Sequence, residues 1–407
     1  MPTPCPDDAN PTAPRRRIAI LLLARNVSGA EHQTLALARA LGARHDVLLL
    51  TGDELSDLVA SDPFLRTYAS GVSMHALGPA FPSSPATSVA GIVARALAYP
   101  RVQLRLHAAL RAFRPDVTHL VLSPSFFAYA PWFLPGIRGD RRRAPTVVTL
   151  AGEARYAIHY YGTAKRLAVR WAAARATAVV ACSADEAANL NTFAPGDAAR
   201  ATVIDNFTDI DRFRPVGTRE RLVLFAARLH PEKGALQFLE AMAIVHRQAP
   251  DVRFAMYGRG EEDAEVAASI ARLDLGHVTE RGFTADMAPV FARAAVFVSC
   301  QKHENLGSSS LLEAMASGAA IVATDVGSTR EIVDEAVGAR VAPNVDAIAG
   351  AVLDLLADPA RRDACGVAAR RRVVDRYSAG PYLAKLLPVY EEAIAARHGR
   401  VSRPVNP

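Results

Sequence analysis

Lysine is scarce in this chain. Of 47 basic residues in 407, only Lys165, Lys233, Lys302 and Lys385 are lysine, and the rest are arginine. Codon composition accounts for such a bias, so a lysine at a motif position carries more information here than an arginine does. Cysteine is scarce too: Cys5, Cys182, Cys300 and Cys365 are scattered along the chain. No pair has the spacing of a zinc or redox site, which sets aside a disulfide framework and suggests a reducing compartment. No apolar run approaches the roughly 20 residues that a membrane-spanning helix needs. The N-terminus opens on a Pro-rich polar segment without the hydrophobic region of a signal peptide, so a cytoplasmic protein is expected. No basic run is interleaved with aromatics, and no G-x-G-x-x-G follows the first strand, which sets aside nucleic acid and a dinucleotide cofactor. A D-x-D carboxylate pair at a strand end is also missing; Asp209-Ile210-Asp211 falls in a linker.

What is present is ordinary globular composition, with 50% apolar and 22% charged residues. The length suggests two or more domains. The net charge of +6 is compatible with anionic substrates or an anionic membrane face.

Residues 1–14 read as a disordered tail. Arg17 to Ala24 is a continuous apolar run, as in the buried centre of a parallel sheet. It ends in a turn through Ser28, Gly29, Ala30 and Glu31, followed by a helix with Leu35, Leu37, Ala38 and Leu41 on its apolar side. Gly29 is either a point of close backbone approach to a ligand or a plain strand-to-helix turn. Arg95 to Arg114 reads as a helix with five arginines among apolar residues, either a solvated face or one suited to an anionic membrane. Further strands fall at Asp116–Leu122, Thr146–Leu150, Ala178–Cys182 and Ala201–Ile204. The pattern then restarts with a strand at Leu222–Ala226, the turn Ala227-Arg228-Leu229-His230-Pro231-Glu232-Lys233-Gly234 and a long apolar-faced helix. Arg228 and Lys233 share that turn, where a guanidinium fork and an ammonium can converge on one diphosphate. Val252–Tyr257 is the next strand, followed by Gly258-Arg259-Gly260.

The densest pattern runs from Ser299 to Ile332. A strand ends in a polar loop with His303, Glu304, Asn305, Leu306 and Gly307. Then Ser308, Ser309 and Ser310 open a helix whose buried side reads Leu311, Leu312, Ala314 and Met315. Gly318 ends it, and Ala320–Thr324 forms another strand. Ser310 and Glu313 have capping-box spacing, which places Glu313 in the first turn. Free N–H groups at such a helix end seat a phosphate well.

This stretch resembles the donor-binding signature of glycosyltransferase family 4, the retaining GT-B transferases. That signature is a Glu, seven residues, a second Glu, then A-M-A-x-G, an apolar strand and a Gly-rich turn with a further Glu. The chain has Glu313-Ala314-Met315-Ala316-Ser317-Gly318, then Asp325-Val326-Gly327 and Glu331; Asn305 stands at the first Glu position, with Glu304 one step earlier. Arg228 to Gly234 is similar to the family's G-R-L-x-x-x-K-G. Asn206 and Phe213 are similar to its interdomain segment. Where the family commonly has His then Gly, this chain has Ala151 and Gly152, with Glu153, His159 and His119 as open substitutes.

The resemblance implies an α/β, GT-B fold: two Rossmann-like parallel-sheet domains facing across a cleft. The implied boundaries are 15–205 for the acceptor-side domain, 206–380 for the nucleotide-sugar domain, 381–397 for a helix crossing back and 398–407 for a tail. It implies hexosyl transfer, with retention, from a UDP- or GDP-sugar to a glycan or lipid-linked acceptor, in cell-surface polysaccharide or glycolipid synthesis. The nucleotide sugar is a co-substrate; no cofactor and no metal are expected, because Arg228, Lys233 and helix N–H groups can meet the charge growing on the diphosphate. Arg228, Lys233 and Glu304 are the implied catalytic residues. Gly29, Gly258, Arg281, Phe283, Asn305, Leu306, Gly307, Ser308 and Glu313 are the implied substrate-binding ones. The donor phosphate would help deprotonate the acceptor, so no protein nucleophile is nominated. A GT-B epimerase or hydrolase, or a catalytically weak sugar-nucleotide-binding scaffold, are the alternatives. Peripheral contact with an anionic membrane is an open partner.

Overall fold

A computed structural model describes residues 14–24, 29–79, 89–121, 123–130, 144–159, 162–198, 201–303 and 307–401. Of the expected tails, 1–14 and 398–407, residues 1–13 and 402–407 lie outside these residues. The chain divides into two compact units, one of 3–205 with 379–407 and one of 206–378.

The first unit is built on seven strands: β1 (Arg17–Leu22), β2 (Asp46–Thr51), β3 (Ser73–Ala76), β4 (Val117–Val121), β5 (Thr146–Leu150), β6 (Ala178–Ala181) and β7 (Ala201–Val203). Their order across the sheet is β3-β2-β1-β4-β5-β6-β7, and every pair is parallel. All five residues of β4 and of β5 are buried, which is why those stretches read as unbroken apolar runs rather than alternating ones. The weakly patterned region from 52 onward contains two short helices, Asp53–Ser61 and Pro63–Tyr68, and the edge strand β3, half exposed along its length. The arginine-rich helix begins earlier than its pattern suggested, at Val89, and runs to Phe113 through an internal Pro100.

The last helix spans Ala379–Val401, so residues 398–401, expected in a tail, are helical. It belongs to the first unit. His119 of β4 anchors it: Nδ1 lies 2.7 Å from the Tyr390 hydroxyl, and Nε2 lies 2.6 Å from Thr149 Oγ1. Burial lowers the pKa of His119 to about 3, so the ring is neutral. At the surface, Arg16 forks onto Glu391 of the same helix.

The second unit repeats the plan with six parallel strands: β8 (Leu222–Ala226), β9 (Arg253–Tyr257), β10 (Thr279–Gly282), β11 (Val296–Ser299), β12 (Ala320–Thr324) and β13 (Gly338–Val341). Their order is β10-β9-β8-β11-β12-β13. The order reverses between β8 and β11, so the loops leaving those two strands diverge around a crevice at their carboxyl ends. Ligands of open α/β sheets bind at such a switch point.

Candidate active site

Arg228 and Lys233 both lie in the loop that leaves β8 at the switch point. Three glycines fix that loop because they allow backbone to press on backbone. A Cβ on Gly258 would sit 1.9 Å from the Ala227 carbonyl oxygen, and one on Gly260 would sit 2.0 Å from that of Leu229. Gly258, expected to touch substrate, has a packing reason to be glycine as well. Gly234, at φ +71°, would bring a Cβ to 2.1 Å from the Cys300 carbonyl oxygen. No other residue fits there, and the contact brings the end of the β8 loop against the start of the β11 loop. The Lys302 N–H donates to the Glu232 carbonyl at 3.0 Å and closes the same junction.

Lys233 ends a 3-10 turn, Pro231–Lys233, capped by the His230 side chain. Its Nζ donates to Gln301 Oε1 at 3.1 Å. Gln301 is buried, and the Thr324 hydroxyl of β12 donates to its backbone oxygen at 2.6 Å. A chain from β12 through Gln301 therefore orients the ammonium. Arg228, by contrast, is exposed and makes no hydrogen bond or ion pair among the described residues. It is a cation held by the loop and left available to an anion.

The β11 loop re-emerges at Gly307, in the left-handed region at φ +72°. Its carbonyl accepts from Asn206 Nδ2 at 2.9 Å. Ser308 then caps the helix Ser309–Ala316 without a side-chain hydrogen bond to it, its hydroxyl lying 3.2 Å from that of Ser310. The capping box is therefore corrected. The helix starts at Ser309, before Ser310 can act as cap, and Glu313 falls in the second turn, out of reach of the cap N–H. Leu311, Leu312, Ala314 and Met315 are buried as expected.

Freed from capping, the Glu313 carboxylate makes no hydrogen bond among the described residues. It is half-buried, and burial pushes its pKa up to about 7, with Arg212 pulling the other way. Arg212 is itself held by the Ala285 carbonyl at 3.1 Å and Asp286 Oδ1 at 3.2 Å. The helix ends in a Schellman motif: the Ala319 N–H reaches the Ala314 carbonyl, and that of Gly318 reaches Met315. Gly318 has φ +78°, and a Cβ there would meet Arg219 Nη2 at 2.3 Å. Arg370 clasps this end to the linker through the Ala316 carbonyl at 2.8 Å and the Ile210 carbonyl at 2.9 Å.

The remaining expected residues are placed as follows. Arg281 lies on edge strand β10 with its side chain paired to Asp263 at 2.7 Å, so only its backbone is open to a ligand. Phe283 is 57% exposed, with the Arg259 guanidinium 4.5 Å over its ring. Gly29 opens the helix Gly29–Gly42 of the first unit. Glu304, Asn305 and Leu306 lie outside the described residues. Asp209 of the linker D-x-D accepts from the N–H groups of Asp211 and Arg212, an Asx turn. Of the open substitutes for the histidine missing at Ala151, His119 has both ring nitrogens engaged in the core, and His159 is exposed. The spacing did not single out Gln301, Asn206, Arg212 or Arg370. Asn206 alone had a signal, its match to the interdomain segment.

Two family models match the chain. One, described as glycosyl transferases group 1, covers residues 206–372; the other, a glycosyl transferase 4-like domain, covers 28–206. Among curated proteins of Mycolicibacterium smegmatis, a phosphatidyl-myo-inositol mannosyltransferase is 33% identical over 185 residues, 43% of this chain and 46% of that protein. A GDP-mannose-dependent alpha-(1-6)-phosphatidylinositol monomannoside mannosyltransferase is 37% identical over 220 residues, 49% of this chain and 54% of that one. The chain thus spans about half the length of the curated relatives it matches. Sucrose-phosphate synthase from Thermosynechococcus elongatus superposes with a TM-score of 0.74 over 94% of this chain and 100% of its own, at 20% identity. Anabaena HepE in complex with UDP and glucose also gives 0.74, at 18% identity, over 93% of this chain and 100% of its own. At such identities the likeness concerns the fold, which is GT-B.

Proposed function

The chain belongs to glycosyltransferase family 4, and from that premise we propose that it transfers a hexosyl residue from a UDP- or GDP-sugar to a glycan or lipid-linked acceptor, with retention of configuration and without a metal. The observation that carries the reading is the β8 loop. Among the described residues, an exposed, unpaired Arg228 and a Lys233 oriented through Gln301 stand at a switch point beside a helix end that its N-cap residue, Ser308, does not cap through its side chain. As the sugar–diphosphate bond breaks, negative charge grows on the leaving group, and fixed cations and N–H groups stabilise it more than they stabilise the intact donor. Glu313 is suited to accept nucleoside hydroxyls. The donor phosphate would receive the acceptor proton. The mannosyltransferase relatives favour a lipid-linked acceptor, with the protein working in the cytoplasm, peripheral on the membrane; no helix among the described residues is long and apolar enough to cross it.

The experiment is a thermal-shift titration with UDP, GDP, ADP and dTDP, with and without EDTA. A ligand that binds only the folded state raises the midpoint by mass action. One diphosphate should stabilise the protein equally in chelator, and Lys233→Ala should remove most of that shift and lower transfer by about 100-fold or more. A shift abolished by EDTA would sink the metal-free mechanism. No shift with any of the four would favour a scaffold over an enzyme.

A further inference from the structure

Two helices of the first unit, Val89–Phe113 and Thr163–Arg175, contain no aspartate or glutamate. They pack on the same side of the seven-stranded sheet. Val102, Leu106 and Leu110 of one and Val169, Ala172 and Ala173 of the other share a single apolar cluster. Opposite those buried stripes, Arg101, Leu104, Arg105 and Arg111 of the first helix stand exposed, as do Arg166, Leu167 and Arg170 of the second. Leu104 is 71% exposed and Leu167 59%. None of these five arginines has an ion pair or hydrogen bond through its side chain among the described residues. In the second unit Arg221, Arg281, Arg293, Arg340 and Arg372 each pair with a carboxylate, whereas the exposed Arg228, Arg272 and Arg361 are scattered on separate elements.

A face of unpaired cations repels itself, and two large exposed leucines gain nothing from water. One kind of surface relieves both. Phosphate headgroups meet the guanidiniums, whose apolar stems lie along the interface, and the acyl boundary takes the leucines. A soluble polyanion would satisfy the arginines and leave Leu104 and Leu167 idle.

We propose that the outer face of these two helices docks the protein on an anionic lipid bilayer. The inference deepens the peripheral location given above. Vesicle binding is scored without any donor, so its failure leaves the transfer reaction standing.

The test is co-sedimentation of the full chain with vesicles of phosphatidylcholine, with and without phosphatidylglycerol. Binding should require phosphatidylglycerol and weaken with salt. Arg101→Ser with Arg105→Ser should lower the partition constant by about 25-fold, at roughly five-fold per charge. Leu104→Ser with Leu167→Ser should lower it while leaving the salt dependence unchanged. Arg272→Ser with Arg361→Ser, exposed in the second unit, should change nothing. Unaltered melting midpoints show that the variants fold. Equal binding to neutral vesicles, no binding at all, or undiminished binding by the arginine variant would overturn the proposal. Binding to heparin as strong as to vesicles, with the leucine variant unaffected, would assign the face to polyanions and overturn it too.

Discussion

Glu313→Gln should make the free protein more stable at pH 8 and no more stable at pH 5. Burial holds the Glu313 carboxyl at about 7 against an ordinary 4.5, with Arg212 offsetting part of the effect. The folded state therefore keeps its proton to higher pH than the unfolded chain does. Stability is undiminished below pH 4.5 and is lost as pH rises towards and through 7, because between those values the native state binds more protons. At 1.36 kcal/mol per pH unit the full shift is worth about 3 kcal/mol. The carboxyl keeps some solvent access, so about 2 kcal/mol is the figure to test. Glutamine has no charge to bury, and no hydrogen bond of Glu313 is lost with it. For a domain of this size 2 kcal/mol corresponds to about 4–8 °C in Tm. The assay is a set of melting curves for both proteins between pH 5 and 8. The gap should open with rising pH, and the variant should bind its nucleoside diphosphate more weakly even while melting higher. A gap equal at every pH, or widest at pH 5, would refute the account of a carboxyl held protonated by burial.

Three further outcomes follow from particular contacts. Gln301→Ala removes the acceptor that orients Lys233 while Thr324 still donates to the loop backbone. Transfer should slow by about ten-fold, with diphosphate affinity changed less, in steady-state kinetics set beside calorimetry. Gly318→Ala forces an L-residue to φ +78° against Arg219 and should cost about 2 kcal/mol in denaturant unfolding, with no change in binding stoichiometry. His119 stays neutral in the fold to about pH 3, whereas the unfolded chain takes up its proton near the ordinary 6.5. Its contribution is therefore lost as pH falls below 6.5, and His119→Gln should flatten that part of the stability profile.

The parallel strands and the Arg228–Lys233 turn were legible because local physics sets them. Unbroken apolar runs mark strands buried on both faces, and glycines mark where loops press together. Edge strand β3 was hidden because a half-exposed four-residue strand carries little pattern. The start of the helix at Ser309 was hidden for another reason. Ser308, Ser309 and Ser310 are all competent caps, so the spacing to Glu313 favoured Ser310. A contact 101 residues away in sequence, Asn206 to the Gly307 carbonyl, helps fix where the loop ends and the helix begins. The same holds for the clasp made by Arg370 and for Arg212 beside Glu313. Each is a side chain reaching across the unit, a relation that no spacing within one motif encodes. The consequence is chemical as well as geometric. A Glu313 in a capping box would spend its carboxylate on its own helix and titrate in the usual range. Moved one turn on, it makes no hydrogen bond among the described residues, burial raises its pKa against the pull of Arg212, and it is left for a ligand to satisfy. The residue type was readable from the motif, whereas its free carboxylate comes from contacts made elsewhere in the fold.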